Sequence, residues 1–382
     1  MKRIELLVGL DDAFGRAVAR GVIRYAKTRQ DWKLYGYGRM FHDVRELETQ
    51  ANPGADGIIA RVETSGDART LAALGIPVVD VAAAYPGLGF HEANNDDFLT
   101  GRRAGEYLRN LGFRRFAFCG VQGTVWSKLR RDGFLEACGA SREHIPVFER
   151  PLAWWKDREN DTTELGVWLG KIPVPSALFA CNDVAGLKSA ETCALAGIRV
   201  PSDFAVLGVD DEDLLCELAD PSLSSVRLDC EAIGIAAATL LDQTLRGEAS
   251  ETGRTLTVSP LRIVERESTR IWIADDPLVA QAISRIQADG NGRFNATKIC
   301  SQLPACKRSV EKRFRLSTGR TLHEAILDAR LDRAKRLLSQ SDYGLETIAE
   351  ASGFGSLQRF HLAFKKREGL TPGAWRKAGR GR

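Results

Sequence analysis

The stretch Ala177-Leu178-Phe179-Ala180-Cys181-Asn182-Asp183-Val184-Ala185 runs a strand with no polar alternation straight into a helix whose capping position holds an asparagine. A strand apolar on both faces has to be covered on both faces, which is the condition of a parallel sheet flanked by helices. Working outward, the unit recurs. Residues 4–8 precede a helical pattern over 14–28, residues 57–60 precede 67–74, residues 76–80 precede 98–111, and 115–119 and 204–209 are further apolar runs. Strands of this kind alternating with amphipathic helices predict a doubly wound α/β fold. Such units spread over about 270 residues exceed one comfortable core, so two lobes, each with its own parallel sheet, are expected.

In a two-lobed arrangement of such sheets, ligands bind at the carboxyl ends of the strands, across the cleft between the lobes. Those ends carry Asp11, Asp12 and Phe14, then Asp80, then Asn182 and Asp183, then Asp210 and Asp211. Carboxylates and amides dominate. The chain has no Gly-x-x-x-x-Gly-Lys-Ser/Thr phosphate loop, no Gly-x-Ser-x-Gly elbow and no histidine pair at metal-ligand spacing. No nucleotide, metal or cofactor is therefore expected, and an enzyme is disfavoured. Acids and amides each engage two neighbouring hydroxyls, which suits a neutral polyhydroxylated ligand, and its C–H face suits the rings of Phe14, Trp126 and Trp155, the last expected with Trp154 in a loop over residues 150–156. Alternatives stay open at each position. Asn182 is also a standard helix cap, Asp210 also a turn former, and either tryptophan also a core anchor.

The balance of 54 Lys+Arg against 50 Asp+Glu hides a division. From residue 275 onward 21 basic residues face 11 acidic ones, a net +10, and the preceding part holds 33 against 39, a net −6. A basic module behind an acidic body points to a polyanion-binding part attached to one with no use for polyanions. The eight cysteines occur singly, several inside apolar runs, and are expected to be reduced packing residues. Charge interrupts the apolar residues at the start too early for a signal peptide, and no stretch is long enough for a membrane span, so a cytoplasmic protein is expected.

The basic part repeats one motif. Asn295 caps a short helix, Pro304-Ala305 turns, and a helix over 306–315 points Val310 and Phe314 inward and Lys307, Arg308, Glu311, Lys312 and Arg315 outward. Thr321-Leu322-His323-Glu324 is a capping box opening a linking helix to about residue 338. A second short helix over 345–351, the turn Gly353-Phe354 and a helix over 356–367 follow, with Phe360 and Phe364 inward and Gln358, Arg359 and His361 near its exposed start. Two helix-turn-helix units with basic second helices predict binding to double-stranded DNA.

Residues 1–272 resemble the LacI/GalR-type, periplasmic-binding-protein-like sensors. Arg130-Arg131-Asp132-Gly133-Phe134 resembles their Arg-x-x-Gly-aromatic helix start, Asn182-Asp183 their Asn-Asp helix start, and Gly208-Val209-Asp210-Asp211 their strand end. Ser222-Leu223-Ser224-Ser225-Val226 resembles the segment that recrosses between lobes. The resemblance implies ligand contacts from Phe14, Asp80, Arg130, Asn182 and Asp210, to which strand-end position adds Asp12 and ring chemistry Trp126 and Trp155. Residues 276–380 resemble the AraC/XylS-type DNA-binding domain through Ile348-Ala349, Gly353-Phe354, Phe360, Phe364-Lys365, Gly369, Thr371-Pro372 and Trp375-Arg376. That implies base contacts from Arg308, Glu311, Lys312, Leu357, Gln358 and His361, to which the second helices themselves add Lys307, Ser356, Arg359 and Lys365 as expected DNA contacts. The first unit departs from the pattern, with Gln302-Leu303-Pro304-Ala305-Cys306 where a small turn is usual.

In this domain order the chain resembles the XylR-like transcriptional regulators, and residues 259–269 resemble the segment linking the two parts in that group. The resemblance implies a homodimeric, ligand-responsive activator of genes for xylose or related pentose utilisation. Its implied partners are double-stranded DNA, a sugar effector and RNA polymerase. A non-sugar metabolite as effector, a repressor role and, from a different class, a sugar-processing enzyme remain the alternatives.

Overall fold

The computed structural model describes residues 1–36, 54–84, 89–139, 145–157, 161–248, 253–271, 274, 276–289 and 295–380. They form two compact units, Met1–Ile271 and Trp272–Arg382. Residues 272, 273 and 275, where the expected boundary falls, lie outside the described residues. Among the described residues no helix is long and apolar enough to cross a membrane. The cysteines are unpaired, and all but Cys138 and Cys306 are buried.

The strands of the first unit are β1 (Lys2–Leu7), β2 (Trp32–Tyr35), β3 (Gly57–Ala60), β4 (Val78–Asp80), β5 (His91–Asn95), β6 (Phe116–Val121), β7 (Val147–Arg150), β8 (Ser176–Ala180), β9 (Phe204–Val209), β10 (Ser224–Arg227), β11 (Thr255–Val258) and β12 (Arg262–Val264). They make two six-stranded sheets, ordered β11-β5-β4-β3-β1-β2 and β12-β10-β9-β8-β6-β7. All pairs are parallel except β10 with β12. Strand order reverses beside β1 in one sheet and beside β6 in the other, the two switch points of a doubly wound fold. Strands β6, β8 and β9 are buried along their whole length, as their unbroken apolar runs demand.

The helices of this unit are α1 (Ala13–Ala26), α2 (Ser65–Ala73), α3 (Asp97–Asn110), α4 (Val125–Cys138), α5 (Leu152–Lys156), α6 (Thr163–Gly170), α7 (Asp183–Leu195), α8 (Asp213–Leu218) and α9 (Cys230–Leu245). The chain changes lobe three times: between β5 and α3, between β10 and α9, and between β11 and β12. The crossings are tied together, since Asp96 N donates to Val258 O at 2.8 Å and Leu261 N to Arg227 O at 2.9 Å. One close helix pair braces each lobe, α1 with α9 and α3 with α4, and glycines make both approaches possible. A Cβ on Gly234 would lie 2.1 Å from Val18 O, and one on Gly133 2.0 Å from Phe98 O.

Two sequence expectations are corrected. The helix over 98–111 does not follow β4 in the same lobe. The polar strand His91-Glu92-Ala93-Asn94-Asn95 intervenes, held by backbone pairing to β4 and β11 rather than by an apolar pattern. The loop expected around Trp154-Trp155 is instead the short helix α5.

The second unit holds α10 (Pro277–Ala288), α11 (Ala296–Ser301), α12 (Lys307–Thr318), α13 (Leu322–Gln340), α14 (Leu345–Ala351), α15 (Leu357–Glu368) and α16 (Pro372–Arg380). Val279, Ile283, Ile299, Val310, Phe314, Leu322 and Ile326 belong to one core, and Leu331, Leu338, Ile348, Phe354, Phe360 and Phe364 to a second. Helix α13 supplies residues to both, and Thr321 and Glu324 close its capping box. The two helix-turn-helix units are unequal at one joint. Ser356 caps α15 by accepting from Arg359 N, whereas Cys306, in the same place before α12, makes no side-chain cap. Its backbone is already extended, with φ −67° and ψ 151°, so Cys306→Ser should stabilise the second unit by about 0.5–1 kcal/mol, read as a higher urea midpoint.

Candidate functional site

Between the lobes of the first unit lies a cleft of about 1070 Å³, a volume that includes its solvent-filled mouth. The carboxyl ends of the strands line it. Asp12 and Phe14 follow β1, Arg61 and Glu63 follow β3, and Asn94 and Asn95 are the last two residues of β5; from the other lobe come Trp126 after β6, Asn182 after β8, and Asp210 and Glu212 after β9. Both switch points face into the same space, which is where a doubly wound sheet leaves room between its turns.

Each lobe contributes an arginine laid over an aromatic ring and paired with acids. In the first lobe the Arg61 guanidinium lies 5.0 Å from the Phe14 ring centroid and 2.5 Å from Asp12. In the second the buried Arg130 lies 5.1 Å from the Trp126 centroid, binds Asp97 at 2.8 Å, donates to Cys181 O at 2.6 Å and stands 3.5 Å from Asp210. Burial pushes the Asp12 carboxyl up, but the charge and hydrogen bond of Arg61, the Gly15 N–H and the Lys156 charge together outweigh it and hold Asp12 below the usual carboxylate range. Asp210 goes the other way: desolvation, only partly offset by Arg130, pushes it up to about 6.

The strand end at Asp210 is built for this placement. Asp210 and Asp211 both have positive φ, 105° and 52°, a left-handed turn that sends neighbouring carboxylates in opposite directions. Asp210 enters the cavity, while Asp211 is locked inward by Arg227 and Arg266. Gly208 is required two residues earlier, because a Cβ there would sit 2.2 Å from the Asp183 carboxylate. That carboxylate accepts from Ser225 Oγ at 2.6 Å and Glu212 N at 2.8 Å, and burial holds its pKa well above the ordinary range.

Of the residues expected at the site, Asp12, Phe14, Trp126, Arg130, Asn182 and Asp210 line the cavity. Asn182 is both a helix cap and a cavity-lining residue. Its Oδ1 accepts from Ala185 N at 2.9 Å as the cap of α7, and its side chain also faces the cleft. Asp80 and Trp155 do not line the cavity. Asp80 is 1% exposed and accepts from Val62 N, Ala82 N and Ala83 N at 3.1, 2.8 and 3.2 Å, so it shapes the turn whose Val81, Ala82 and Ala84 reach the cleft. Trp155 is 2% exposed, donates from Nε1 to Gly120 O at 2.9 Å and packs against Phe148 and Trp154. The short helix α5 turns it into the core and brings Leu152 and Lys156 to the cavity instead.

Several cleft residues escaped the sequence analysis. Arg61 and Glu63 stand just beyond an apolar strand and were open to the strand-end rule. Asn94 was hidden because its strand has no apolar signature. It is 5% exposed, and neither its Oδ1 nor its Nδ2 has a hydrogen-bond partner among the described residues. Glu212 links the lobes, accepting from Ala13 N at 2.5 Å and pairing with Arg16 at 3.3 Å. Among the described residues no group of three or more His, Cys, Asp or Glu is placed to hold a metal ion.

In the second unit, Lys307, Arg308, Glu311 and Lys312 are exposed on α12, and Gln358, Arg359 and Lys365 on α15. His361 is half-buried beside Phe360, and Ser356 is the α15 cap. Leu357 departs from the expectation of an outward side chain, since it packs against the second core at the start of α15.

Residues 106–269 match the family of periplasmic binding protein-like domains, and residues 299–378 that of helix-turn-helix domains. Along its length the chain is similar to the xylose operon regulatory protein of Haemophilus influenzae, 28% identical with 98% of each chain covered. It is also 28% identical to that of Escherichia coli strain K12, with 98% of this chain and 96% of the other covered. The solved structure of a xylose-binding transcription activator, xylR, matches with a TM-score of 0.69 and 26% identity, covering 98% of both chains. These relatives are transcriptional regulators and not enzymes, and so is this protein. By domain content, order and fold the chain resembles the XylR-like transcriptional regulators, with a periplasmic-binding-protein-like sensor domain followed by a helix-turn-helix domain.

Proposed function

We propose that the protein is a cytoplasmic activator of pentose-utilisation genes, switched by D-xylose or a closely related aldopentose held between the two lobes. The observation that carries this reading is the donor set of the cleft, above all the buried Asn94 amide with both ends unpartnered among the described residues. A buried amide in that state costs free energy until a ligand supplies both a donor and an acceptor, which a pair of sugar hydroxyls does. Asp210, Arg130 and Asn182 offer matching groups from the opposite lobe, and the Phe14 and Trp126 rings offer apolar faces. The names of the xylose operon regulators similar to this chain point to the same sugar class.

Sugar contacts from both lobes favour the closed arrangement by their differential affinity, which shifts the population of sensor states. In a homodimer that shift changes how two DNA-binding units meet repeated half-sites, and an activator so placed engages RNA polymerase. Titration of the purified protein with pentoses and hexoses, followed by tryptophan fluorescence and melting temperature, tests the reading. A saturable response to an aldopentose is expected, with Asn94→Leu and Asp210→Ala each weakening it at least tenfold. Wild-type response in both variants, or no response to any sugar, would overturn the assignment.

Two pH dependences follow from Asp210. As a carboxylate accepting from a sugar hydroxyl, with its pKa at about 6, it should bind sugar with constant affinity above pH 7 and progressively weaker affinity below pH 6. Stability of the unliganded protein runs oppositely. A raised carboxyl pKa contributes stability that is present below the unfolded value of about 4 and lost as pH rises through about 6. Asp210→Asn should therefore raise the melting temperature more at pH 7.5 than at pH 4, while flattening the pH dependence of sugar affinity.

A further inference from the structure

Helices α12 and α15 repeat at an offset of fifty residues. Val310 and Phe314 occupy on one the places of Phe360 and Phe364 on the other, and all four are fully buried. At about 100° per residue, the line directly opposite those buried pairs runs through Arg308, Lys312 and the exposed Leu316 on α12 and through Gln358, Leu362 and Lys366 on α15. The central position of this outward line is thus a lysine on one helix and a leucine on the other. Leu362 is 65% exposed, and its exposed neighbours on the helix are Gln358, Arg359, Lys365 and Lys366.

A lone apolar side chain inside a basic, polar stripe is a poor fit to an apolar patch on another protein, which asks for apolar neighbours as well. It fits a surface that is anionic along its edges and carries a single apolar group at its floor. The DNA major groove has that character, with phosphates at both rims and the C5-methyl of each thymine inside. The net +10 charge from residue 275 onward complements those rims.

We propose that Leu362 reads the C5-methyl of a thymine in the major groove, beside an adenine held by Gln358, so that the two recognition helices take unlike half-sites. On α12 the same outward line presents Arg308 and Lys312, the partners that guanine O6 and N7 prefer. The first helix-turn-helix unit therefore selects a guanine-containing half-site and the second an A·T-containing one. The inference rests on the reading of α12 and α15 as the helices that enter the groove, and it makes the recognised element directional.

The full-length protein is used to select duplexes from a randomised library, and each thymine of the selected duplex is then replaced singly by deoxyuridine, which removes only the methyl group. The wild type should lose about fourfold in affinity at one thymine of the A·T-containing half-site. Leu362→Ala should bind the parent duplex more weakly by a similar factor, lose nothing further at that thymine and keep the guanine preferences and salt dependence of the wild type. Leu362→Lys should move the selected base at that position from thymine toward guanine. Equal losses at every thymine in wild type and Leu362→Ala, or indifference of the wild type to every replacement, would overturn the role of Leu362 while the guanine positions still support groove entry. Failure to enrich any duplex would overturn that underlying reading as well.

Discussion

Gly101→Ala is expected to destabilise the first unit by about 3 kcal/mol or more, although it adds a single methyl group. A Cβ at Gly101 would lie 1.8 Å from the carbonyl oxygen of Arg130 and 2.6 Å from its carbonyl carbon. Both atoms are helix backbone and have no rotamer to retreat into, so α3 and α4 have to separate. The seam continues through Gly133, set against Phe98 O, and Gly105, where a Cβ would meet that of Ala137 at 2.7 Å, so separation at one point is felt along the pair. It would also displace Arg130, whose backbone carries the guanidinium into the cleft. Gly170→Ala, in α6 with nothing within 4 Å, is the matched control and should instead gain about 0.5–1 kcal/mol from the stiffer unfolded chain. Urea unfolding followed by tryptophan fluorescence distinguishes the two, and a Gly101→Ala midpoint equal to that of the wild type would contradict the helix packing.

Arg130→Met should cost about 3–5 kcal/mol in the unliganded protein and remove ligand binding together with it. The substitution keeps most of the apolar stem against Trp126 but takes the counter-charge from Asp97, which is buried, and from Asp210. It also leaves Cys181 O without its donor at the joint between β8 and α7. Uncompensated buried carboxylates take up protons, so the sign with pH is defined. Asp210, already raised to about 6 beside Arg130, rises further in the variant, and the stability it contributes when protonated is lost as pH rises through that value. The gap between variant and wild type should therefore be widest above pH 7 and narrow toward pH 5. A gap independent of pH would mean that Arg130 acts through packing alone.

Much of the architecture was legible in the chain itself because the interactions concerned are periodic and local. Unbroken apolar runs such as Phe116-Ala117-Phe118-Cys119 name strands covered on both faces, and the structure buries them on both faces. Thr321 with Glu324, Ser356 and Asn295 mark helix starts, and each caps one. Strands without that signature were missed. β5 is polar and owes its place to hydrogen bonds with β4 and β11, the latter more than 150 residues away in sequence.

The cleft divides along the same line. Strand ends can be counted from the sequence, which is how Asp12, Phe14, Asn182 and Asp210 came to be named. Which way each side chain turns there depends on backbone angles and on partners contributed by distant segments. Asp80 looks like the other acids in sequence, yet three backbone N–H groups of residues 62, 82 and 83 draw it into the turn. Trp155 follows Trp154 in an unremarkable stretch, and one hydrogen bond to Gly120 O with a stack on Phe148 makes it core. Leu357 and Leu362 both stand on α15, and only the position of the second core shows which is packed and which faces out.

By itself, then, the sequence determined two α/β lobes, a basic double helix-turn-helix module and the strand ends where a ligand would be met, because apolar period, capping chemistry and charge are carried by neighbouring residues. Tertiary structure alone decided that Asn94 and Arg61 belong to the cleft, that Asp80 and Trp155 do not, and that glycines set the depth of the helix pairs. Those outcomes depend on contacts between segments far apart in the chain, where a partner's position, and not the residue's own type, determines whether a polar side chain is satisfied within the protein or left to face a ligand.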